Sequence, residues 1–258
     1  MLLSREIKGM LSPLYVFTYI AIILIPILIA FYQANNYILF KPIDFFTLTL
    51  EGMIPMVFPL ICVSIFLIQL AKEKTNNFLL YTRSRTDLGS YLRMKFFVNA
   101  TLVFTVVFLM VFVPFFIAFY IDPLFGHINY YPVDNIENVD SPTFSQLLNY
   151  GSLVYGLGYA FWVAINGVVY ASLSFALLFL LSNNFLAMSL PFVIYHAGNF
   201  VLAIMDLEVY SLISTIFPFN ISQQPIWTAL IPFLCLTALL FILLFIMSFK
   251  IKRLDVIL

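Results

Sequence analysis

Residues 152–181 read SLVYGLGYAFWVAINGVVYASLSFALLFLL, a run of 30 residues without a charged side chain. A helix crosses the roughly 30 Å hydrocarbon core of a membrane with about 20 predominantly apolar residues. The run therefore predicts a membrane-spanning helix. Small residues recur along it at helical spacing, and this predicts one smooth face for close packing against another helix. They are Ala160, Ala164, Gly167, Ala171 and Ser174.

The composition of the whole chain agrees with this run. Of its 258 residues, 63% are hydrophobic and only 9% are charged, whereas soluble domains have about 45–50% apolar and 25% charged residues. This excludes a soluble globular domain. It also excludes a disordered chain and a nucleic-acid-binding protein, because both need polar or basic surface. The two cysteines, Cys62 and Cys235, lie in apolar runs and give no disulfide or zinc framework.

Other charge-free intervals predict further spans, and the polar residues 182–184 divide the longest interval into two. The six predicted spans lie near 14–34, 52–71, 96–120, 152–181, 185–205 and 227–249. We therefore expect an all-α membrane protein, with residues 1–258 forming a single transmembrane domain. Residues 1–12 mix basic and apolar side chains, which predicts a short interfacial helix before the first span. The alternative is a basic tail that serves only to orient the chain.

The distribution of charge orients the six spans. With the N-terminus in the cytoplasm, 11 of the 12 Lys and Arg residues fall inside and only Lys41 falls outside. Eight of the 12 acidic residues fall outside or at the outer boundary. The positive-inside rule therefore predicts that both termini are cytoplasmic. Residues 72–95 then form a cytoplasmic loop and residues 121–150 an extracellular loop.

The predicted cytoplasmic loop has the composition of a docking surface. Residues 72–95 read KEKTNNFLLYTRSRTDLGSYLRMK and carry six of the 12 basic residues around an apolar patch, residues 78–81. Apolar anchors within a polar rim are typical of protein–protein interfaces. A solvated loop that is basic only to enforce topology is the alternative, and composition alone does not decide between the two.

Few polar side chains fall within the predicted spans. Asn99, Asn166, His196 and Asn199 are the candidates for lining a translocation path. Helix–helix hydrogen bonding is the alternative role, and we favour it for His196. Acidic or basic relays within the spans, which proton-coupled transporters use, are missing from the sequence.

Known catalytic motifs are also missing from the sequence. There is no H-E-x-x-H, no G-x-S-x-G and no P-loop G-x-x-x-x-G-K-[ST]. We therefore expect no catalytic residues, no metal site and no cofactor in this chain.

Two stretches resemble a known family. Residues 3–8 read LSREIK and residues 11–13 read LSP, similar to the "K/R-E-x-K … S-P" opening of permease subunits of type-two-class ABC exporters. The predicted loop resembles that family's "E … LL … SR … L … K" pattern through Glu73, residues 78–80, residues 84–85, Leu88 and Lys95. The glycine that often follows the family's loop glutamate is replaced here by asparagine at 76 or 77.

The resemblance implies a half-transporter of the bacterial plasma membrane. Two permease subunits, identical or different, would line a path, and two separate ATP-binding subunits carrying ATP-Mg would dock on the cytoplasmic loops. The implied coupling residues are Glu73, Arg83, Ser84, Arg85, Asp87 and Leu88. Peptides, antibiotics or lipids are the expected cargo. The rival interpretations are a non-transporting scaffold or sensor subunit and an intramembrane enzyme.

Overall fold

A computed structural model of the chain describes residues 9–10, 12–76, 87–131, 144–220 and 223–256. The described residues are mainly α-helical. The helices are α1 (Pro13–Gln33), α2 (Pro42–Leu50), α3 (Met53–Ser64), α4 (Leu67–Thr75), α5 (Leu88–Phe116), α6 (Asp122–Phe125), α7 (Ser152–Leu180), α8 (Asn184–Ile204), α9 (Leu212–Ile216) and α10 (Trp227–Val256). A π-helical turn joins α5 to α6, and short 3₁₀ turns precede α7 and α9.

Five helical segments are long and apolar enough to cross a membrane. They are Pro13–Asn36, Leu88–Phe125, Ser152–Leu180, Asn184–Ile204 and Trp227–Ile251. Helices α2 and α3 pass the same test only when taken together, so the described residues contain five spans, or six if this bent pair is one span. The prediction of helices rather than strands, several of them apolar enough to cross a membrane, is confirmed for the described residues.

The second predicted span differs from a single helix over 52–71. Helix α3 has 12 residues, about 18 Å at 1.5 Å per residue, which is too short to cross the membrane alone. It meets α2 at an angle of 56°, and Gly52 makes that turn with a φ of +75°. A second interruption lies at residues 65–66, before α4. Hydropathy gives the length of an apolar run but not the direction of the chain within it. The positions of the two interruptions were therefore not predicted.

The prolines of this region do not mark the interruptions. Proline within a helix predicts a kink or break because it lacks a backbone donor, yet Pro55 and Pro59 both lie within α3. Pro55 is in the first turn, where its missing N–H removes no intrahelical hydrogen bond. The chain instead changes direction at Gly52 and again at residues 65–66, on either side of the two prolines.

The predicted cytoplasmic loop is shorter than 72–95. Helix α4 continues to Thr75 and α5 begins at Leu88, so only residues 76–87 separate the two helices, and 77–86 lie outside the described residues. The interfacial helix expected at 1–12 falls largely outside them as well, although Gly9 and Met10 are helical. Of the predicted extracellular loop 121–150, residues 132–143 are outside the described part.

Helix α7 is the centre of the bundle. In its most apolar window 78% of the residues are buried, against 11% for the span that contains α1, and it packs on α3, α5, α8 and α10. Its small residues allow this. Ala160, Ala164 and Ala171 are fully buried, and a Cβ on Gly167 would lie 3.1 Å from Cys62 Sγ. The sequence stripe therefore faces the neighbouring helices rather than lipid.

Asp122 fixes the residues that follow α6, and a backbone hydrogen bond ties these residues to the segment after α1. This carboxylate is buried, accepts a hydrogen bond from Ile128 N at 3.2 Å and accepts another from Tyr130 Oη at 3.1 Å. Tyr131 N also donates to Leu39 O at 2.9 Å. Burial and the neighbouring Asp122 carboxylate raise the pKa of Tyr130. The residues after α6 are thus fixed against the segment between α1 and α2.

Candidate functional site

The two flanks of residues 77–86 meet at one end of the bundle, where α4, α7 and α10 end and α5 and α8 begin. We call it the basic end, because it carries a group of cationic side chains. They are Lys72, Lys74, Arg93, Lys95 and Lys250. Only three of the six implied coupling residues, Glu73, Asp87 and Leu88, fall within the described residues. Arg83, Ser84 and Arg85 lie outside them.

Glu73 is the centre of a polar cluster that joins α4 to α5. Lys95 Nζ lies 2.9 Å from Glu73 Oε1 and 2.8 Å from Oε2. Tyr91 Oη donates to Glu73 Oε2 at 3.1 Å, and Gln69 Nε2 donates to Oε1 at 3.4 Å. The Lys95 side chain is 0% exposed and that of Glu73 is 18% exposed. The ion pair between Glu73 and Lys95 is therefore largely shielded from solvent. We call Gln69, Glu73, Tyr91 and Lys95 the Glu73 cluster.

Helical spacing on both sides positions the Glu73 cluster. Gln69 and Glu73 are four residues apart on α4, and Tyr91 and Lys95 are four apart on α5, so each pair shares one helix face. The Lys95 ammonium also lies 5.8 Å from the ring centre of Phe66 and 5.4 Å from that of Tyr91, within range for cation–π attraction. Sequence analysis named Glu73 but not Tyr91 or Gln69 as site residues. The spacing of four residues within each pair was the sequence feature that could have identified them.

Two lysines cap the C-terminus of α7 at the same end. Lys74 Nζ donates to Leu178 O at 2.5 Å and to Leu181 O at 2.8 Å. Lys250 Nζ donates to Phe179 O at 3.1 Å and to Leu180 O at 3.0 Å. The last carbonyls of a helix have no intrahelical partner, and positive charge suits this end of the helix dipole. Burial lowers the pKa of Lys74, and the nearby Lys250 ammonium lowers it further.

Asn184 adds a fifth helix, α8, to this arrangement. Its Nδ2 donates to Ala71 O at 3.3 Å and to Thr75 Oγ1 at 2.9 Å, which ties the start of α8 to α4. Helix α4 is therefore bonded to α5 through Glu73, to α7 through Lys74 and to α8 through Asn184. From the sequence, Lys74 counted as one of the basic residues of the predicted docking loop and Lys250 only oriented the chain, and a capping role was predicted for neither. Their capping role depends on where α7 ends relative to α4 and α10, which the sequence does not state.

Asp87 starts α5 as its N-cap. Its Oδ2 accepts a hydrogen bond from Ser90 N at 2.8 Å, the usual N-cap interaction with an otherwise unpaired N–H. The hydrogen bonds from Ser90 lower the pKa of Asp87. Leu88 follows as the first residue of the helix. The boundary between residues 77–86 and α5 is thus fixed by a side chain that stays ionised at neutral pH.

Replacing Asp87 with alanine is expected to lower the melting temperature of the purified protein at neutral pH. Asparagine, which also caps helices, should retain most of the stability. Because folding lowers the pKa of Asp87 below its ordinary 3.8, this contribution is present above the unfolded pKa and is lost as the pH falls through the folded pKa.

Thermal melts across the acid range test this prediction. The difference between wild type and Asp87→Ala should be constant between about pH 6 and 8 and should shrink below about pH 4. Glu208→Ala, at an exposed acid near the other end of the bundle, is the control and should show no such difference. A loss in Asp87→Ala that persists unchanged into acid would contradict the assignment.

Three of the four candidates for a translocation path form hydrogen bonds with separate parts of the bundle. His196 Nε2 lies 2.8 Å from Met56 O and so joins α8 to α3. Asn199 Oδ1 accepts a hydrogen bond from Ile213 N at 3.0 Å, and Asn166 Nδ2 donates to Trp162 O of its own helix at 2.9 Å. Among the described residues, no hydrogen bond joins any two of the four.

Asn99 is the exception among these candidates, because its buried amide has no hydrogen-bond partner in the part of the chain that the structure describes. Three further buried side chains on α7 and α8 share this property, namely Tyr170, Ser172 and Tyr195. The rings of Tyr170 and Tyr195 pack edge to face, with centroids 5.6 Å apart. Leaving a buried polar group unpaired costs about 1–3 kcal/mol. Sequence analysis missed the two tyrosines, since their polarity is concealed among 15 tyrosines spread along the chain.

No protein-family model, curated protein or solved structure matches this chain. The resemblance to ABC exporter permeases therefore depends on the sequence patterns alone. Within the described ranges, no group of three or more His, Cys, Asp or Glu side chains is placed to hold a metal ion. The Glu73 cluster and the two capping lysines are accordingly the polar arrangement that best supports a functional role.

Proposed function

We propose that this protein is the membrane-spanning permease subunit of an ATP-driven ABC exporter. In this proposal both termini and residues 77–86 face the cytoplasm of a bacterial cell. A separate ATP-binding subunit, carrying ATP-Mg, docks on residues 77–86. A second permease subunit, identical or different, completes the translocation path. Peptides, antibiotics or lipids are the proposed cargo.

The observation that carries the proposal is the ion pair between Glu73 and Lys95. It joins the helices on either side of residues 77–86, with 2.8 Å between Lys95 Nζ and Glu73 Oε2. A displacement of residues 77–86 would therefore move α4 and α5 as a pair rather than bend one of them. Lys74 and Lys250 bond to the C-terminal carbonyls of α7, which extends the same connection to the central helix.

The chemistry of residues 77–86 suits a protein partner. The segment reads NFLLYTRSRT, with two arginines beside a short apolar patch. Arginine and aromatic or aliphatic anchors are typical of the centre of protein interfaces. The chain itself has no P-loop motif, so energy from ATP has to enter through a partner. A partner that binds two conformations of the bundle with different affinity shifts the balance between them.

Charge reversal of Arg83 and Arg85 tests this proposal. In Arg83→Glu/Arg85→Glu we expect the ATP-binding subunit to be lost, or to hydrolyse ATP without export, because the basic surface that it contacts becomes acidic. The measurement has two parts: co-purification of a P-loop ATPase with the intact chain from native membranes, and the stimulation of its ATP hydrolysis by the chain.

Lys41→Glu is the control for this test, since Lys41 is the one basic residue that the proposal places outside the cell. It should leave both co-purification and hydrolysis unchanged. Normal ATPase binding and normal coupling by the double variant, at normal expression, would contradict the docking role of residues 77–86.

A non-transporting scaffold or sensor subunit is the second candidate function. The individual hydrogen bonds of Asn166, His196 and Asn199 favour it, because side chains that form hydrogen bonds within the bundle need no role in transport. This candidate predicts that no ATPase activity is stimulated by the chain. The same measurement therefore separates the two functions.

A further inference from the structure

A cleft of about 520 Å³ opens at the basic end between α5, α7 and α10. Its walls are apolar and include Leu92 and Phe96 from α5, Phe175 from α7, and Leu244 and Met247 from α10. The volume falls within the range of about 300–1,000 Å³ that is usual for binding sites of small ligands. Its walls belong to helices that are long and apolar enough to cross a membrane, so a lipid acyl chain is a chemically suitable occupant.

The rim of this cleft carries one charge of each sign. Asp87 and Arg93 both line it. They lie six residues apart at the start of α5, where Ser90 bonds to both: its N–H donates to Asp87 Oδ2 at 2.8 Å, and its Oγ accepts from Arg93 Nη2 at 3.1 Å. A guanidinium has further N–H donors beyond the one used here, and a carboxylate accepts several hydrogen bonds. The rim can therefore contact an anion and a cation at the same time.

We propose that the cleft binds one amine-bearing zwitterionic phospholipid of the phosphatidylethanolamine type. One acyl chain lies between α5 and α10 against Phe96 and Met247. The phosphate accepts hydrogen bonds from Arg93, and the ammonium group donates to Asp87. An apolar wall with charges only at its outer end matches the division of such a lipid into chain and headgroup.

The opposite charges of the rim favour this headgroup over others. A phosphatidylglycerol headgroup offers Arg93 the same phosphate but has no cation for Asp87, whose carboxylate would repel the lipid's net negative charge. Phosphatidylcholine carries a positive charge but no N–H to donate. We therefore expect phosphatidylethanolamine to bind most tightly of the three. The site depends on the cleft and its rim and does not require the proposed export function.

Native mass spectrometry of the full chain in detergent tests the site. Phosphatidylethanolamine is expected to add at one equivalent per chain and to saturate, with about tenfold weaker binding of phosphatidylglycerol, the loss expected for one charged hydrogen bond. Met247→Trp fills the cleft and should abolish the saturable equivalent. Phe200→Trp enlarges an exposed side chain on α8, away from the cleft, and should leave binding unchanged.

Two rim variants keep the test decisive if Met247→Trp does not fold. Arg93→Gln removes a charge from an exposed side chain and should weaken binding of all three lipids. Asp87→Asn retains a capping side chain and should remove the preference for phosphatidylethanolamine over phosphatidylglycerol. Unsaturable binding of many equivalents, equal binding of the three lipids by wild type, or wild-type binding by both rim variants would each overturn the proposal.

Discussion

Replacing Lys95 with methionine is expected to lower the free energy of unfolding by about 3 kcal/mol, and replacing Glu73 as well is expected to restore much of that loss. Removing one partner of a buried ion pair leaves the other charge uncompensated, at a typical cost of about 3–5 kcal/mol. We place this pair at the low end of the range, because Glu73 is 18% exposed and can still reach solvent.

The double variant separates the pair's contribution from general damage. In Lys95→Met/Glu73→Met neither charge remains, and apolar replacement of a whole buried pair is often neutral for stability. Tyr91 Oη then loses its acceptor on Glu73, so we expect recovery of more than half the loss rather than all of it. The cycle also includes Glu73→Met alone, and the loss in the double variant should be clearly smaller than the sum of the two single losses, as expected for residues in contact.

The reaction of Cys62 with a maleimide measures these changes in stability. This cysteine is fully buried while Cys235 is exposed, so in a Cys235→Ser background the rate of maleimide labelling in increasing denaturant reports the opening of the bundle. Lys72→Met is the matched control, because this lysine lies on the same helix but is exposed; a change within about 0.5 kcal/mol is expected there. If Lys95→Met and Lys72→Met label alike, the Glu73 cluster does not hold α4 against α5.

The fold class could be predicted from the sequence because it depends on quantities that accumulate along the chain. Apolar length and the absence of charge are enough to place spans such as residues 152–181. The bend between α2 and α3 could not be predicted in this way. It depends on the φ of +75° at Gly52, one residue in an otherwise apolar region, and glycine adopts such angles in many contexts other than a helix bend.

Single residues of the candidate site could be predicted from the sequence, but the contacts between them could not. Glu73 matched the glutamate of the family's loop pattern, but its partner Lys95 is 22 residues away, and a sequence does not state how α4 and α5 face each other. Likewise, the small-residue stripe correctly suggested a close approach to α7, as the buried Ala160 and Ala164 show. It did not include Gly156, one turn earlier, where the approach is closest.

Gly156→Ala is expected to be strongly destabilising, although it adds only one methyl group. A Cβ at this position would lie 2.2 Å from Phe115 Cε1 and 2.5 Å from its Cζ, far inside van der Waals contact. The ring has little room to move aside, because Phe115 is fully buried and packs against Phe46, Phe119 and Tyr155. Overpacking usually costs about 1–3 kcal/mol, and we expect at least the upper value at this position.

Gly158→Ala is the matched control, two residues along the same helix. Its Cβ would meet only Leu147 Cδ1 at 3.5 Å, an ordinary contact. Alanine is also favoured over glycine in a helix by about 1 kcal/mol, so this variant should be as stable as wild type or more so. The two variants add the same atom to the same helix and differ only in what that atom meets.

Phe115→Leu in the Gly156→Ala background identifies the clash directly. Shortening the ring frees the space that the new methyl group needs, so the double variant should be more stable than Gly156→Ala alone, although Phe115→Leu by itself removes buried contacts and destabilises the protein. The Cys62 labelling assay measures all four proteins of this cycle. If Gly156→Ala labels no faster than Gly158→Ala, then α5 and α7 do not approach as closely as the ring of Phe115 requires. The central position of α7 in the bundle would then need to be revised.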